Sequence, residues 1–145
     1  MTSAAYLSML CSVLLGSPPD DRSIAAASLM TQETQDSIDR GLSWLAKRQN
    51  PDGSFGSGGY AGNIAVTGLA GLAFMTAGHM PGEGPYGDTV DRAIAYVLEN
   101  TNTSGFIESR QSGTHGPMYG HGFGCLFLAE AYGMTLRPEI REKLK

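Results

Sequence analysis

The sequence predicts an all-α protein made of helical hairpins that repeat about every fifty residues. The chain aligns with itself once, segment 36–45 on segment 88–97, which begins 52 residues later. Apolar residues recur in both segments at the spacing of one helix face, which indicates two amphipathic helices. A glycine-rich turn and a second helical segment, almost free of charge, follow each of them. The predicted plan is an outer amphipathic helix, a turn and an inner apolar helix, repeated along the chain.

The two outer segments both open with the motif Asp-x-x-Asp. We expect Asp36 and Asp88 to be N-caps, because a carboxylate at that position accepts hydrogen bonds from free backbone N–H groups. Asp39 and Asp91 then fall in the first helical turn, where the helix dipole favours negative charge. Binding of a metal ion or a diphosphate is the alternative interpretation of the same motif.

The inner helices are predicted over residues 64–77 and 119–133. The first has no charged side chain and the second has only Glu130. A helix that is apolar on all sides is expected to be buried on all sides. Gly68 and Gly71 predict close contact with another helix, and a run of about 14 residues is short for a membrane span. No stable membrane span is expected.

A third outer helix is predicted to begin at Pro138, because proline is favoured in the first helical turn. Residues 36–145 then hold two repeats and the start of a third. Stacked repeats usually need three or more units to bury their apolar faces. We therefore expect either a piece of a longer protein, which is favoured, or a chain that self-associates through its open repeat end.

Residues 1–35 are predicted to be a signal-like apolar segment and a linker. Residues 1–19 carry no charge, and Tyr6–Leu15 has the length of the apolar region of an export signal. No lysine or arginine precedes it, which argues against a signal, and the residues before Cys11 do not fit a lipoprotein box. Export to the periplasm or the exterior is weakly favoured, with a cytoplasmic location as the alternative.

Composition excludes several classes of protein. Ten lysine and arginine residues against 14 aspartate and glutamate residues give a net charge of −4, and the basic residues form no stripe, so no nucleic-acid partner is expected. Two cysteines are too few for a disulfide framework or a cysteine-rich zinc site. A hydrophobic content of 41% with 17% charged residues is enough for a folded core.

One motif in the first repeat resembles the QW repeat of squalene-hopene cyclases, oxidosqualene cyclases and protein prenyltransferase β subunits. All of its spacings fit, and only the terminal tryptophan is replaced, by Phe55; its residues are Arg40, Gly41, Trp44, Leu45, Gln49, Gly53, Ser54 and Phe55. The second copy keeps the helix and loses the glutamine and the terminal aromatic residue. The resemblance covers residues 36–145 and implies an α/α toroid, here an incomplete one, whose inner helices line a central cavity.

The motif residues are expected to be structural. Gln49, at the end of the outer helix, can bind backbone groups at a neighbouring helix end, and Phe55 can shield it from water. Gly53 permits the backbone turn between them. Neither the acidic motif of the triterpene cyclases nor the zinc ligands of the prenyltransferases occurs in this chain, and Cys125 follows Gly124 rather than Asp-x. Catalytic residues are therefore not visible, and no metal or cofactor is predicted.

A small group of residues around the second inner helix is the candidate ligand site: His115, Tyr119, His121 and Glu130. By the toroid analogy the turn before this helix opens at one end of the cavity. The alternative role for His115, Tyr119 and His121 is packing or helix capping. A zinc site that includes Cys125 is a further alternative with little support. Glu130 is expected either on a wetter edge of the helix or as a buried carboxylate with an altered pKa.

Three functions follow as hypotheses. The first is a terpenoid-cyclase-like or prenyltransferase-like repeat protein whose apolar cavity suits an isoprenoid-type ligand. The second is a non-catalytic α/α-toroid module that binds a protein, a peptide or a polysaccharide. The third, a polysaccharide lyase or hydrolase, ranks last because it needs paired carboxylates, or a basic residue with a cation, on the inner helices and only Glu130 is present there.

Overall fold

The computed structural model describes residues 30–109, 117–135 and 137–144. Helices make up 64% of these residues and no strand occurs among them, so the all-α prediction is confirmed. The described helices are α1 (Gln32–Ala46), α2 (Ile64–Thr76), α3 (Gly87–Glu99), α4 (Pro117–Thr135) and α5 (Pro138–Lys143), with a short 3-10 helix at Gly58–Tyr60. Helices α1, α3 and α5 correspond to the predicted outer helices, and α2 and α4 to the inner ones.

The chain divides into two compact units, Met1–Ile38 and Asp39–Lys145. The described part of the first unit is the start of α1. Thr31 Oγ1 accepts a hydrogen bond from the backbone N–H of Thr34 at 3.2 Å, which is the contact of an N-cap. Helix α1 therefore begins earlier than expected, and Asp36 lies inside it, where it accepts a bond from Gln32 Nε2 at 2.8 Å. The prediction that Asp36 caps the helix is wrong.

Helix α3 in the second unit begins at Gly87, so Asp88 lies in its first turn and Tyr86 holds the N-cap position. Asp88 is thus not the cap, although its charge still lies where the helix dipole favours it. Asp91 forms an ion pair with Arg137, which directly precedes α5, at 2.8 Å. The second carboxylate of this motif therefore connects two outer helices.

The inner helices α2 and α4 pack against each other in parallel. Ile64, at the start of α2, lies next to Gly120 and Gly124, and Gly71, further along α2, lies next to Phe127. Contacts therefore advance along both helices in the same direction. A Cβ atom on Gly71 would come within 2.3 Å of the Phe127 ring, which confirms that this glycine permits close helix contact.

The core lies between these two helices and α3. Phe74 on α2 and Phe127 on α4 are fully buried, and helix α3 buries the apolar stripe that its sequence predicts. That stripe consists of Val90, Ile94 and Val97. Helix α2 packs against both α3 and α4, and α4 also packs against α5.

The inner helices are not buried on all sides, contrary to prediction. Leu69 on α2 is 48% exposed and Leu126 on α4 is 47% exposed. Met118 and Tyr119, at the start of α4, are exposed as well. The apolar pattern shows which side chains are favoured away from water. It does not show whether another part of the chain packs against each face of the helix.

The two turns that follow α1 and α3 have the same backbone geometry. In the first, the N–H of Asn50 donates to the carbonyl of Ser54 at 2.9 Å, and in the second the N–H of Asn102 donates to the carbonyl of Phe106 at 2.9 Å. Gly53 and Gly105 occupy equivalent places with φ of +88° and +81°. The 52-residue spacing of the sequence is thus also the spacing of the folded turns.

The first turn is fixed to the next outer helix by three contacts. Gln49 Nε2 donates to the carbonyl of Thr89, in the first turn of α3, at 2.8 Å. Arg92 Nη2 donates to the carbonyl of Asn50 at 2.6 Å. Gly53 lies so close to α3 that an added Cβ would stand 2.3 Å from the Arg92 carbonyl oxygen. The expected role of Gln49, binding a neighbouring helix end, is confirmed.

Replacing Gly71 with alanine tests the packing of the inner helices. The added methyl group would overlap the Phe127 ring, so we expect the free energy of unfolding to fall by about 1–3 kcal/mol. Gly122 on α4 is the matched control, because nothing lies within 4 Å of a Cβ built there. Gly122→Ala should be neutral or stabilising by up to about 1 kcal/mol. Urea unfolding measures both, and equal effects of the two substitutions would contradict the close contact between Gly71 and Phe127.

Candidate functional site

The predicted ligand residues that the structure describes do not converge on one site. His115 lies outside the described residues. Tyr119 and Glu130 are both exposed on α4, and because they are eleven residues apart they lie on one helix face about 16 Å from each other. Glu130 therefore occupies the wetter edge of the helix, the first of the two expected positions. The two side chains cannot act on the same atom of a small ligand.

His121 holds the second turn against α4. Its Nδ1 accepts a hydrogen bond from the backbone N–H of Ile107 at 3.3 Å, which requires that this nitrogen carry no proton. The ring stacks on Phe106, with 4.8 Å between the ring centroids. This is the packing role that the sequence left open for His121.

Cys125 lies beside His121 but is not an activated nucleophile. Its Sγ atom is 3.6 Å from His121 Nδ1. Burial raises the pKa of the Cys125 thiol above its ordinary value, so the sulfur stays protonated and weakly nucleophilic near neutral pH. Across the described parts of the chain, no three His, Cys, Asp or Glu side chains come together as a metal site. Among the described residues, nothing adds to this pair the further ligands that zinc requires.

The residues of the QW-like motif divide into two groups. Gln49, Gly53 and Phe55 belong to the contact between the first turn and its neighbours. Phe55 is 2% exposed, and its backbone N–H donates to Thr67 Oγ1 on α2 at 3.0 Å. Arg40, Gly41 and Trp44 lie on the exposed side of α1. Trp44 is 57% exposed, and the Arg48 guanidinium stands 4.1 Å from the centroid of its ring.

Two surface grooves occupy equivalent places in the two repeats. The first, here called the basic groove, has a volume of about 510 Å³, and the second, here called the acidic groove, has a volume of about 570 Å³. Both volumes are in the range of small-ligand sites. Six lining residues correspond at a spacing of 52: Trp44, Lys47, Arg48, Gln49, Asn50 and Gly56 in the basic groove, and Tyr96, Glu99, Asn100, Thr101, Asn102 and Glu108 in the acidic groove.

The grooves differ in charge. Of the residues that the structure describes, Lys47 and Arg48 are the charged ones that line the basic groove. Glu99, Glu108 and Asp52 are the described charged residues that line the acidic groove. Sequence comparison of the two repeats missed this inversion, although pairing Lys47 with Glu99 at the 52-residue spacing would have shown part of it.

Tyr96 closes the floor of the acidic groove. Its side chain is 4% exposed, and its hydroxyl donates to the carbonyl of Gly62 at 2.6 Å and lies 3.1 Å from Ser109 Oγ. Burial raises the pKa of Tyr96, and the nearby charge of Asp52 acts in the same direction, whereas the bond to Ser109 lowers it. Trp44 holds the equivalent place in the first repeat and remains exposed.

Two further findings bear on function: the length of the helices and the comparison with known proteins. Among the helices that the structure describes, none combines the length and the apolar character needed to cross a bilayer. Comparison with protein-family models, curated proteins and solved structures finds nothing that matches this chain. Any assignment of function therefore depends on the geometry of the chain and on the residues that resemble the QW repeat.

Replacing Tyr96 with phenylalanine tests the buried hydroxyl. At neutral pH the substitution should lower the free energy of unfolding by about 1–3 kcal/mol, because the Gly62 carbonyl loses its donor. The pKa of Tyr96 is raised from 10.0 in the folded state, so the unfolded wild type ionises first and the wild type loses stability as the pH rises above 10. Tyr96→Phe has no hydroxyl to ionise and does not lose this stability. The difference in the free energy of unfolding between wild type and Tyr96→Phe, measured with urea, should therefore shrink above pH 10.

Cys125 also has a raised pKa, but it is present in both proteins and its contribution cancels in the difference. A stability difference that stays constant or widens above pH 10 would contradict the buried position of the Tyr96 hydroxyl.

Proposed function

We propose that the chain is part of an α/α toroid of the squalene-cyclase and prenyltransferase repeat type, and that its inner helices bind an isoprenoid-type ligand. The observation that carries this proposal is the uncovered apolar side of the two parallel inner helices. Leu69 on α2 and Leu126 on α4 are each about half exposed, although both belong to helices with almost no charge. In a toroid this side would face the central cavity.

The repeat geometry supports the toroid. Each inner helix packs against the outer helix that follows it, α2 against α3 and α4 against α5. The inner helices are parallel, as successive units of a ring require. The QW-like residues Gln49, Gly53 and Phe55 act at the junction of turn and helix, which is where a motif that joins repeats should act.

An isoprenoid matches the chemistry of this side. Such a ligand is a branched hydrocarbon with few or no hydrogen-bonding groups, and transferring it from water onto leucine and methionine side chains is favourable by roughly 25 cal/mol per Å² of apolar surface. Tyr119 at the start of α4 would lie at one end of the bound chain, and Glu130 would lie three helical turns further along. Their separation suits contact with an elongated ligand rather than joint chemistry on one atom.

Binding of a protein or peptide is the second candidate, and one observation favours it. Met118 is 67% exposed and Tyr119 is 73% exposed at the beginning of α4. Methionine and tyrosine are enriched in protein interfaces, where a flexible apolar chain and an amphipathic ring adapt to a partner. This candidate shares the toroid and differs in its ligand.

A fluorescent farnesyl probe, such as a dansyl derivative, distinguishes the two candidates in a titration of the 145-residue chain. We expect saturable binding that unlabelled farnesol or squalene displaces. Leu69→Gln combined with Leu126→Gln should weaken binding about tenfold or more, because two polar amides replace the apolar contact. Met80→Gln is the control, since Met80 is 36% exposed and lies outside the inner helices.

Saturable binding that survives the double substitution would mean that the inner helices are not the ligand surface. Absence of saturable binding in the wild type would reject the isoprenoid ligand and leave the protein or peptide candidate.

A further inference from the structure

The acidic groove has a wall that comes from the preceding repeat. Asp52 lies in the turn of the first repeat, yet it lines the groove of the second repeat beside Tyr96 and Glu99. The same interface buries Tyr96, whose hydroxyl reaches the Gly62 carbonyl of the first repeat. A groove of this kind is thus completed when a preceding repeat packs beside it.

The basic groove is built in the same way, but in the described parts of the chain no residue of a preceding repeat forms a wall beside it. The described residues that line it all belong to the first repeat, from Trp44 to Val66. Trp44, the only tryptophan of the protein, is 57% exposed where Tyr96 is 4% exposed. The face that is buried in the second repeat is therefore open in the first.

Charge indicates what would cover this face. Lys47 and Arg48 give the basic groove a positive surface, and none of its described lining residues is a carboxylate. Glu99 and Glu108, both exposed, give the acidic groove a negative surface, and none of its lining residues that the structure describes is a cation. The chain therefore carries a complementary surface for its own basic groove, and complementary potentials steer association and fix its orientation.

We propose that the basic groove is an interface for a second copy of this chain, which docks its acidic groove there. Glu99 and Glu108 of one copy then face Lys47 and Arg48 of the other, and Trp44 becomes covered. This inference goes beyond the proposed ligand function and does not depend on it. The contact joins two different surfaces, so it is heterologous, and repeated addition produces either an open chain or a closed ring.

Such an interface has a recognisable response to salt. The charged side chains on both surfaces are exposed, so the attraction between them is screened at distances beyond about 10 Å in 0.1 M salt. Association should therefore weaken as the salt concentration rises. The emission of Trp44 should shift to shorter wavelength on association, because its ring leaves water.

Sedimentation equilibrium at low and high salt, with Trp44 emission recorded in parallel, tests the proposal on the 145-residue chain. We expect the wild type to associate with increasing concentration at low salt. Lys47→Glu with Arg48→Glu should weaken association about tenfold or more, and so should Glu99→Lys with Glu108→Lys. A mixture of the two variants should associate again, because each then meets a surface of opposite charge.

The control variants change charge elsewhere on the surface. Arg141 on α5 and Glu83 in the turn before α3 are exposed and line neither groove. Arg141→Glu and Glu83→Lys should associate like the wild type, and circular dichroism should show an unchanged helix content for all variants. A wild type that stays monomeric at low salt would overturn the proposal. So would association that ignores the groove substitutions, or a mixture that fails to restore it.

Discussion

The close approach of Gly53 to helix α3 is the contact on which the arrangement of the two repeats depends. The φ of Gly53 is +88°, and an added Cβ would stand 2.3 Å from the Arg92 carbonyl oxygen, so no other residue fits without movement. Because the turn lies directly on α3, Gln49 reaches Thr89 and Arg92 reaches the Asn50 carbonyl. These bonds satisfy polar groups at a junction that is partly shielded from water. The same approach brings Asp52 to the edge of the acidic groove.

The two repeats share a backbone plan and differ in what they place on it. Gly53 and Gly105 fix equivalent turns, but the side chain that reaches across the second turn is Lys143 of α5, which donates to the Thr101 carbonyl at 3.2 Å. Backbone geometry thus persists where the QW-like side chains are absent. The opposite charges of the two grooves arise in the same way, since lining positions that are 52 residues apart carry different side chains.

Much of the fold was predictable because it is local. Apolar periodicity located α1 and α3, apolar runs almost free of charge located α2 and α4, and Pro138 marked the start of α5. The glycines of the inner helices indicated their close packing. The start of α1 was missed because the repeated segment begins at Asp36, whereas Thr31, five residues earlier, supplies the cap. The exposed sides of α2 and α4, and the grooves, were not predictable from local pattern. They depend on which neighbours are present and on residues that meet only after the repeats pack. The role of His121 likewise became visible only with Phe106 beside its ring.

The most direct test of this account is the free energy of unfolding of Gly53→Ala compared with Gly78→Ala. Gly78 has nearly the same backbone conformation, with φ of +90°, but nothing lies within 4 Å of a Cβ built there. Both substitutions should lower the free energy of unfolding by about 1–2 kcal/mol, because alanine is strained in the left-handed conformation. Gly53→Ala should lower the free energy of unfolding by about 1–3 kcal/mol more than Gly78→Ala does, because its methyl group collides with the backbone of α3. Equal losses at the two positions would contradict the claim that the turn lies directly on α3 and holds the repeats together.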